Sequence, residues 1–427
     1  MKRYSVLCFC LLLAIARGGA QLKRSEAFHS KYELAEVVVL SRHNIRSPLS
    51  GNGSALSRIT PHEWFPWSSA PSELSLRGGV LETMMGQYFR KWLVGEGLIA
   101  EHEQASRDLR FYANSMQRTI ATAQYFSSGM LPVANVPVEH HCAIGTMDPV
   151  FNPQFTFVSE AFRRQAGREI AQMGGEQGMA GLGARMRDNY KVLEQMLDLR
   201  KSVACREGDT CAFRLDDTEV HIEMGKEPYM RGALRLANQA SDALILQYYE
   251  ETDARKAAFG HKLKQRDWEL IAEVKDWYGD VLFTAPCVAV NVAHPLLVCM
   301  NDELSVPHRR FTFLCGHDSN IASVLAALEA EEYVLPQSIE KKTPIGSKLV
   351  IEKWRDAQGR EYAALNLVYQ STDQLRRLQM MDLENAPAIF PIRLKGLTAN
   401  ADGLYSLTDL QQRFAKAITA YSYLPKD

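Results

Sequence analysis

The sequence predicts an α/β protein in which a central mixed sheet, flanked by helices, carries a smaller inserted α-helical domain. Three observations lead to this fold class. Short apolar segments typical of buried strands lie near both ends of the 427-residue chain. The middle of the chain, about 155–280, instead has apolar residues at helical spacing. In two further segments, 347–354 and 361–370, residue character alternates with a period near two on either side of the polar turn "RDAQGR", which predicts a hairpin.

Three predicted strands are followed by polar residues. The first, 36–41, contains a β-branched run typical of a strand covered on both faces. The second and third are 109–115 and 310–316. The third is followed by a predicted helix that begins near Ile321, with Asn320 or Ser319 as its cap. Because open α/β sheets bind ligands beyond the carboxyl ends of their strands, we expect the residues after these three strands to converge.

The middle of the chain has apolar residues at helical spacing in three segments. The apolar positions are Val158, Phe162, Ala166 and Ile170, then Leu182, Met186 and Tyr190, then Leu270, Ile271, Val274 and Trp277. The glycines of "GMAGLGARM" weaken the second helix, because each costs roughly 1 kcal/mol relative to alanine. We therefore divide the chain into an α/β core at 21–150 and 281–427 and an inserted helical cap domain at 151–280.

The N-terminus has the order of a secretory signal peptide. Lys2 and Arg3 precede an apolar segment at 6–15, and small residues follow up to Ala20. We predict a signal peptide at 1–20 and export to the periplasm or the outside. No later run reaches the roughly 18 apolar residues of a stable membrane span.

Charge and cysteine content narrow the partners and the compartment. The formal net charge is −1, and no basic excess indicates a nucleic-acid partner. Six cysteines follow the predicted signal peptide, and an oxidising compartment favours pairing among them. Cys205 and Cys211 enclose the short polar loop "CREGDTC" and are the best candidate bridge. The oligomeric state is left open.

The residues after the three strands form a set suited to phosphate chemistry. The set comprises Arg42, His43, Arg46, Arg118, His317 and Asp318. Arginine guanidinium groups match phosphate oxygens bidentately. A neutral imidazole can attack phosphorus to give a covalent intermediate, and a nearby carboxylic acid can protonate the departing oxygen. This set requires no metal and no other cofactor, because the arginines neutralise the phosphoryl charge.

The chain resembles the histidine acid phosphatases, a branch of the histidine phosphatase superfamily. The family pattern Arg-His-Gly-x-Arg-x-Pro stands here as "RHNIRSP", with Asn44 in place of glycine, and its downstream His-Asp pair stands as "GHDSN". One subgroup, the bacterial periplasmic glucose-1-phosphatases, is similar to this chain at the position of Asn44. The similarity extends to the segments "ANSMQRTIATAQ", "GTMDPVFNP", "TPIGSKLV" and "YQSTDQLR". The resemblance covers nearly the whole mature chain. It implies a phosphoglycerate mutase-like core with an inserted α domain.

The resemblance also implies roles for single residues. His43 would be the nucleophile that becomes phosphohistidine, and Asp318 would protonate the leaving group. The implied phosphate ligands are Arg42, Arg46, Arg118 and His317. Glu227, in "GKEPYM", would contact the substrate from the helical domain, although a solvated loop carboxylate is a competing interpretation. Cys205 and Cys211 match a close cysteine pair of the subgroup, whose C-terminal pair is missing here.

Several alternatives stay open at the level of sequence. The substrate is a small phosphomonoester, with sugar phosphates such as glucose 1-phosphate and inositol hexakisphosphate both possible. A zinc enzyme built on "VEHHCA" is disfavoured, because adjacent side chains of a strand point to opposite faces. A non-catalytic phosphate-binding protein gains nothing from Asp318, since a carboxylate repels phosphate. A phosphoryl mutase of the superfamily does not fit a signal peptide.

Overall fold

The structure is a computed structural model that describes residues 24–49 and 54–427. The predicted signal peptide at 1–20 lies outside these residues. The strands are β1 Tyr32–Arg42, β2 Leu109–Ala113, β3 Glu219–His221, β4 Tyr229–Arg231, β5 Phe311–Gly316, β6 Lys348–Asp356, β7 Glu361–Tyr369, β8 Ala388–Pro391 and β9 Tyr405–Ser406. All three strands predicted to precede polar residues are present, each within a few residues of its predicted bounds.

The larger sheet is mixed, as predicted. Its strand order is β2-β5-β1-β6-β7-β8, and β9 pairs with β7. Strands β1, β2 and β5 are parallel, whereas β6, β7 and β8 follow in antiparallel pairs. The β6–β7 hairpin is the one that the alternating pattern predicts. The three parallel strands therefore end at one edge of the sheet.

Helices cover both faces of this sheet and fill the middle of the chain. They are α1 Glu26–His29, α2 Ala55–Arg58, α3 Leu76–Gly95, α4 Gln117–Met130, α5 Glu160–Gln172, α6 Gly178–Arg185, α7 Arg187–Met196, α8 Val203–Arg206, α9 Ala233–Glu250, α10 Ala254–Ala257, α11 Gln265–Phe283, α12 Pro286–Glu303, α13 Asp318–Ala327, α14 Thr372–Arg377 and α15 Leu407–Ala420. Short 3-10 helices cover Gly175–Gln177, Leu199–Lys201 and Tyr421–Tyr423.

The β-branched run of β1 is buried on both faces because successive side chains point to opposite sides of the sheet. Val37 and Val39 pack with α3 and α4, whereas Val38 and Leu40 pack with α12, α13 and α15. Helices α3 and α4 approach closely at two glycines. A Cβ on Gly86 would lie 2.1 Å from the carbonyl oxygen of Phe126, so no larger residue fits there without a shift.

The helical middle of the chain has its own apolar core. The stacked rings of Tyr248 and Trp268, whose centroids are 3.9 Å apart, join α9 to α11. The predicted spacing in 158–170 corresponds to α5, which buries Phe162, Ala166 and Ile170. The second predicted helix is divided at Met186 into α6 and α7. The division into a core and a cap domain at 151–280 stays a prediction.

A disulfide joins Cys205 and Cys211, as predicted, with 4.4 Å between their Cα atoms. The cysteines at 142, 287, 299 and 315 are free thiols. Among the described residues, no single helix is long and apolar enough to cross a membrane. Helices α11 and α12 meet that test of length and composition only as a pair, and they are bent by 85° relative to each other.

Candidate active site

The predicted convergence of the three strand ends is confirmed. The parallel register aligns Leu40 of β1 with Leu314 of β5, and Ala113 of β2 with Cys315 of β5. A cavity of about 430 Å³ opens beyond this edge, between the sheet and helices α9 and α11. Six of the seven predicted site residues line it: His43, Arg46, Arg118, Glu227, His317 and Asp318.

His43 presents a free lone pair. Its Nδ1 lies 2.9 Å from the carbonyl oxygen of Asn44, and since a carbonyl only accepts, Nδ1 carries the proton. The other ring nitrogen, Nε2, is then unprotonated. Burial, together with the positive charges of Arg118 and Arg46, holds the pKa of His43 well below its usual value. The ring therefore stays neutral, and able to attack phosphorus, in mildly acidic solution.

Asn44, the departure from the family glycine, fixes the turn that carries His43. Its amide donates to Glu82 Oε2 over 2.8 Å, and Glu82 in turn forms a buried ion pair with Lys348. Its Oδ1 accepts the backbone N–H of Ile45. Gly346 lies so close that a Cβ there would be 2.6 Å from the Asn44 amide nitrogen. The absence of a side chain at Gly346 thus leaves room for the side chain of Asn44.

In His317, Nδ1 rather than Nε2 faces the arginines of the site. The Asn114 amide nitrogen lies 2.7 Å from His317 Nε2, and Asn114 Oδ1 is occupied by the backbone N–H of Asp148. The amide therefore donates to Nε2, which leaves the proton on Nδ1. That Nδ1 lies 3.5 Å from an Arg118 nitrogen, on the side of the guanidinium groups. His317 can thus donate a hydrogen bond to an anion beside Arg118.

The helix after β5 begins earlier than predicted. Helix α13 begins at Asp318, with His317 as its N-cap, rather than near Ile321. The cause is Asn320, whose side chain reaches back to accept the backbone N–H of His317 over 2.9 Å. Asp318 therefore occupies the first turn of the helix, at the mouth of the cavity.

Arg46 and Arg118 place positive charge close to His43 inside the cavity. Arg46 donates to Asp242 over 3.0 Å, and Arg118 donates to the Ser72 hydroxyl over 2.7 Å. Burial and the neighbouring Arg46 lower the pKa of Arg118 to about 10, so it remains charged at neutral and acidic pH. Two adjacent cations repel each other unless an anion lies between them.

Arg42 does not line the cavity. Its side chain is only 2% exposed and donates to Glu340 over 2.7 Å and to the carbonyl oxygen of Thr343 over 2.5 Å. Its second terminal nitrogen lies 3.5 Å from Asp318. The Nε–H groups of Arg42, Arg46 and Arg118 are all buried, and none has an acceptor within the described part of the chain. Unpaired buried donors are costly, and a phosphate in the cavity could pair those of Arg46 and Arg118, which line it.

Asp318 is bound by two cations. Lys275 of α11 donates to its Oδ2, and Arg42 lies behind it. Desolvation alone would favour the neutral acid, but the charges of Lys275 and Arg42 outweigh it and hold the pKa of Asp318 well below its usual value. Lys275 also lies 3.6 Å from Asp242, which bonds Arg46. A chain of ion pairs thus runs from Asp318 through Lys275 and Asp242 to Arg46, and it joins helices α9 and α11 to the site.

Sequence reasoning missed Asp242, Lys275 and Glu340. The first two lie on helices α9 and α11, and Glu340 lies in the loop between α13 and β6. No local motif distinguishes them from the other charged residues of the chain. Only the packing of the helical segment against the sheet brings them to the cavity.

Glu227 lies at the cavity mouth, just before β4. Desolvation raises the pKa of its carboxyl group, and the field of Arg118 opposes that rise. The rim around it carries both signs of charge. Its cations are Arg46, Arg118, Arg235, Lys275 and Lys342. Its carboxylates are Glu227, Asp242, Asp276, Asp280, Asp318 and Glu340. The rim is therefore not strongly basic.

In the alternative zinc site "VEHHCA", His141 Nε2 lies 3.7 Å from Glu139 Oε2, and the other contacts of these side chains are to different groups. Glu139 pairs with Arg110 over 2.8 Å, and the His141 ring stacks on Tyr112 at a centroid distance of 4.3 Å. His140 bonds the carbonyl oxygen of Cys142. Within residues 24–49 and 54–427, no three ligand atoms of this segment lie within 4.8 Å of one another.

Comparisons with known proteins point to one family. Residues 33–370 match the family model of the histidine phosphatase superfamily, branch 2. The chain is 39% identical over 407 residues to a glucose-1-phosphatase of Salmonella typhimurium, covering 93% of this chain and 96% of the relative. It is 36% identical to a glucose-1-phosphatase of Providencia rettgeri, covering 97% and 99%. The fold is similar to that of the apo phytase of Hafnia alvei, with a TM-score of 0.84, 23% identity, and coverage of 93% and 99%.

Proposed function

Because this chain belongs to branch 2 of the histidine phosphatase superfamily, we propose that it is an acid phosphomonoesterase that hydrolyses sugar phosphates of the glucose 1-phosphate type. The observation that carries this proposal is the neutral His43, with its lone pair on Nε2, beside Arg46 and Arg118, whose buried Nε–H groups have no acceptor among the described residues. Such a site binds a phosphoryl group and attacks it.

The proposed reaction has two displacements. In the first, His43 Nε2 forms a bond to phosphorus while the ester P–O bond breaks, and Asp318 gives its proton to the departing sugar oxygen. In the second, a water oxygen bonds to phosphorus while the bond between phosphorus and His43 Nε2 breaks, Asp318 takes the proton from the water, and inorganic phosphate leaves with His43 free again. Arg46, Arg118 and His317 Nδ1 stabilise the charge on the phosphoryl oxygens. No metal or other cofactor enters either step.

The mixed charge of the rim favours a sugar phosphate over inositol hexakisphosphate as the preferred substrate. A substrate with six phosphate groups needs cations well beyond the site of reaction. Here Glu227, Asp276 and Asp280 lie among the rim lysines and arginines, and they place hydrogen-bonding oxygens rather than cations there whether or not they carry a proton. The hydroxyl groups of glucose, in contrast, can donate hydrogen bonds to these carboxylates. Phytase activity is the alternative, and we expect it to be the weaker one.

Two rim carboxylates favour activity below neutral pH. Burial raises the pKa of Asp276 to about 7 and that of Asp280 to about 6. A group with a raised pKa is already protonated as pH falls through that value, so both lose their negative charge in mildly acidic solution. The cavity thereby gains net positive charge and attracts an anionic ester more strongly, while His43 stays neutral.

A substrate panel tests the proposed function. Glucose 1-phosphate, inositol hexakisphosphate and an aryl phosphate are compared over a pH series with EDTA present. We expect hydrolysis of all three substrates, with a higher kcat/KM for glucose 1-phosphate than for inositol hexakisphosphate. The pH optimum should lie below 7, and EDTA should not reduce the activity. Binding of phosphate without turnover would instead support the non-catalytic binding protein.

Glu227 is proposed to discriminate between these two substrates. The E227Q variant removes one negative charge at the cavity mouth and should raise kcat/KM for inositol hexakisphosphate, relative to glucose 1-phosphate, by about tenfold, or ~1.4 kcal/mol. The matched control is E219Q, because Glu219 lies on β3, which pairs with the strand after Glu227, and does not line the cavity. An unchanged substrate ratio in E227Q would show that Glu227 is a solvated loop carboxylate.

Lys275 is proposed to set the protonation of Asp318. In the K275M variant the pKa of Asp318 should rise, because one of its two cations is lost. An acid with a raised pKa keeps its proton to higher pH, so the alkaline limb of the kcat profile should move up by about one pH unit. The R235M variant removes another rim cation and should leave that limb in place. If both variants behave alike, Lys275 contributes only general positive charge.

Export is proposed from the sequence of residues 1–20. The segment has the charged, apolar and small-residue order of a signal peptide. N-terminal sequencing of the protein recovered from a periplasmic fraction tests cleavage after Ala20.

A further inference from the structure

Outside the active-site cavity, three potential metal ligands converge from separate parts of the chain. His62 lies between α2 and α3, Asp198 lies in the turn after α7, and His261 lies between α10 and α11. One ligand atom from each lies within 4.8 Å of the other two. Both histidines direct Nε2 at the same oxygen, Asp198 Oδ2, over 2.9 and 3.2 Å. None of the three residues lines the cavity.

The local structure holds these side chains in place. The His62 ring stacks on Phe259, with centroids 4.9 Å apart and planes 19° apart. Asp198 has a left-handed backbone, with φ of 48°, and its other oxygen, Oδ1, pairs with Lys201 over 2.9 Å. Lys201 therefore orients the carboxylate and leaves Oδ2 facing the imidazoles. Second-sphere contacts of this kind orient ligands in metal sites.

The set matches the preferences of zinc. Zinc binds imidazole nitrogens and carboxylate oxygens at 2.0–2.2 Å, so ligand atoms around a tetrahedral ion lie about 3.3 Å apart. The two separations of 2.9 and 3.2 Å are close to that value. The side chains of His62, Asp198 and His261 are 27%, 19% and 34% exposed, so an ion and a water ligand can reach them.

We propose that His62, Asp198 and His261, with one water as the fourth ligand, form a zinc site that ties the loop between α2 and α3 to the helical segment. The ion would replace hydrogen bonds that otherwise join the two imidazoles to one carboxylate oxygen. A ligand that binds only the folded state stabilises it by mass action. Zinc should therefore raise the melting temperature without supplying any step of phosphate transfer.

Zinc binding to the full mature chain tests the proposal. The protein is stripped with EDTA, exchanged into metal-free buffer and titrated with zinc against a chromophoric chelator, and its Tm is measured with and without the ion. The variants are H62Q and D198N. Asparagine tolerates the left-handed backbone at 198 and accepts from Lys201, so D198N removes the anionic ligand with little strain. The control is H140A, which removes a histidine of the "VEHHCA" segment.

The expected result is one zinc ion per chain, with a Tm rise of several degrees, in the wild type and in H140A. Affinity should fall by at least about tenfold in D198N and in H62Q, and neither variant should show the Tm rise. Zinc binding that D198N and H62Q leave unchanged, or that H140A abolishes, would overturn the assignment. A wild-type protein that binds no zinc would overturn it as well.

Discussion

Replacement of His43 by alanine is expected to reduce kcat by at least about a thousandfold for every phosphomonoester tested. The substitution removes the group that forms the bond to phosphorus in the proposed first displacement. The cations around it remain, with Arg46 held by Asp242 and Arg118 held by Ser72. Inorganic phosphate should therefore still bind, which calorimetry of the H43A variant can measure beside its steady-state kinetics.

Two further measurements separate a lost nucleophile from a damaged fold. Added imidazole should partly restore turnover in H43A, because the space left by the side chain opens into the cavity. In the wild type, a denaturing quench during turnover should trap a phosphoryl group on the peptide that contains His43. The control variant H102A removes an exposed histidine and should keep full activity. Turnover in H43A close to that of the wild type would remove the proposed mechanism.

The fold could be predicted from sequence because its main signals are local. The run of Val37, Val38 and Val39 is typical of a strand buried on both faces, and β1 is such a strand. The alternating residues on either side of the polar turn predict the β6–β7 hairpin, although both strands are buried along most of their length. The start of α13 was mispredicted for an equally local reason. Asn320 acts from the third helical position, not as the cap, and so places Asp318 inside the helix.

The candidate site was only partly predictable. His43 and His317 follow directly on the ends of β1 and β5, and Arg118 lies in the first turn of the helix after β2, so all three are predictable from the strand ends. Lys275 and Asp242 reach the cavity from helices that are remote in sequence, and their placement depends on how the helical segment packs on the sheet. The position of Arg42 behind Asp318 depends on Glu340, some 300 residues away, so no pattern around Arg42 could reveal it.

The low pKa of Asp318 would seem to disqualify it as a proton donor, but the bound ester changes its surroundings. Lys275 and Arg42 hold the carboxylate ionised when they face it alone. A phosphoryl group placed between Arg46 and Arg118 adds negative charge nearby and competes for the same cations. Both effects favour the protonated acid, since a neighbouring like charge raises a carboxyl pKa. Asp318 is thus proposed to gain its proton as substrate binds.

The D318N variant tests this role through the leaving group. Asparagine keeps the size of the side chain but has no acidic proton. We expect kcat for glucose 1-phosphate to fall by about 10²-fold or more, because a sugar alkoxide leaves poorly without protonation. An activated aryl phosphate should lose far less, since its phenolate leaves unaided. The measurement is kcat for a series of esters whose leaving groups span a wide range of pKa.

The slope of that series decides between two roles for Asp318. A proton donor makes the rate nearly independent of leaving-group pKa, so its removal in D318N should steepen the dependence. A residue that only positions Lys275 and Arg42 would slow all esters equally when replaced. The D280N variant is the matched control, because Asp280 lines the same cavity, while the charges that act on its carboxyl group are those of Lys342 and Glu332. A parallel loss across the whole series in D318N would assign the proton to another group, and K275M would then leave the alkaline limb unmoved.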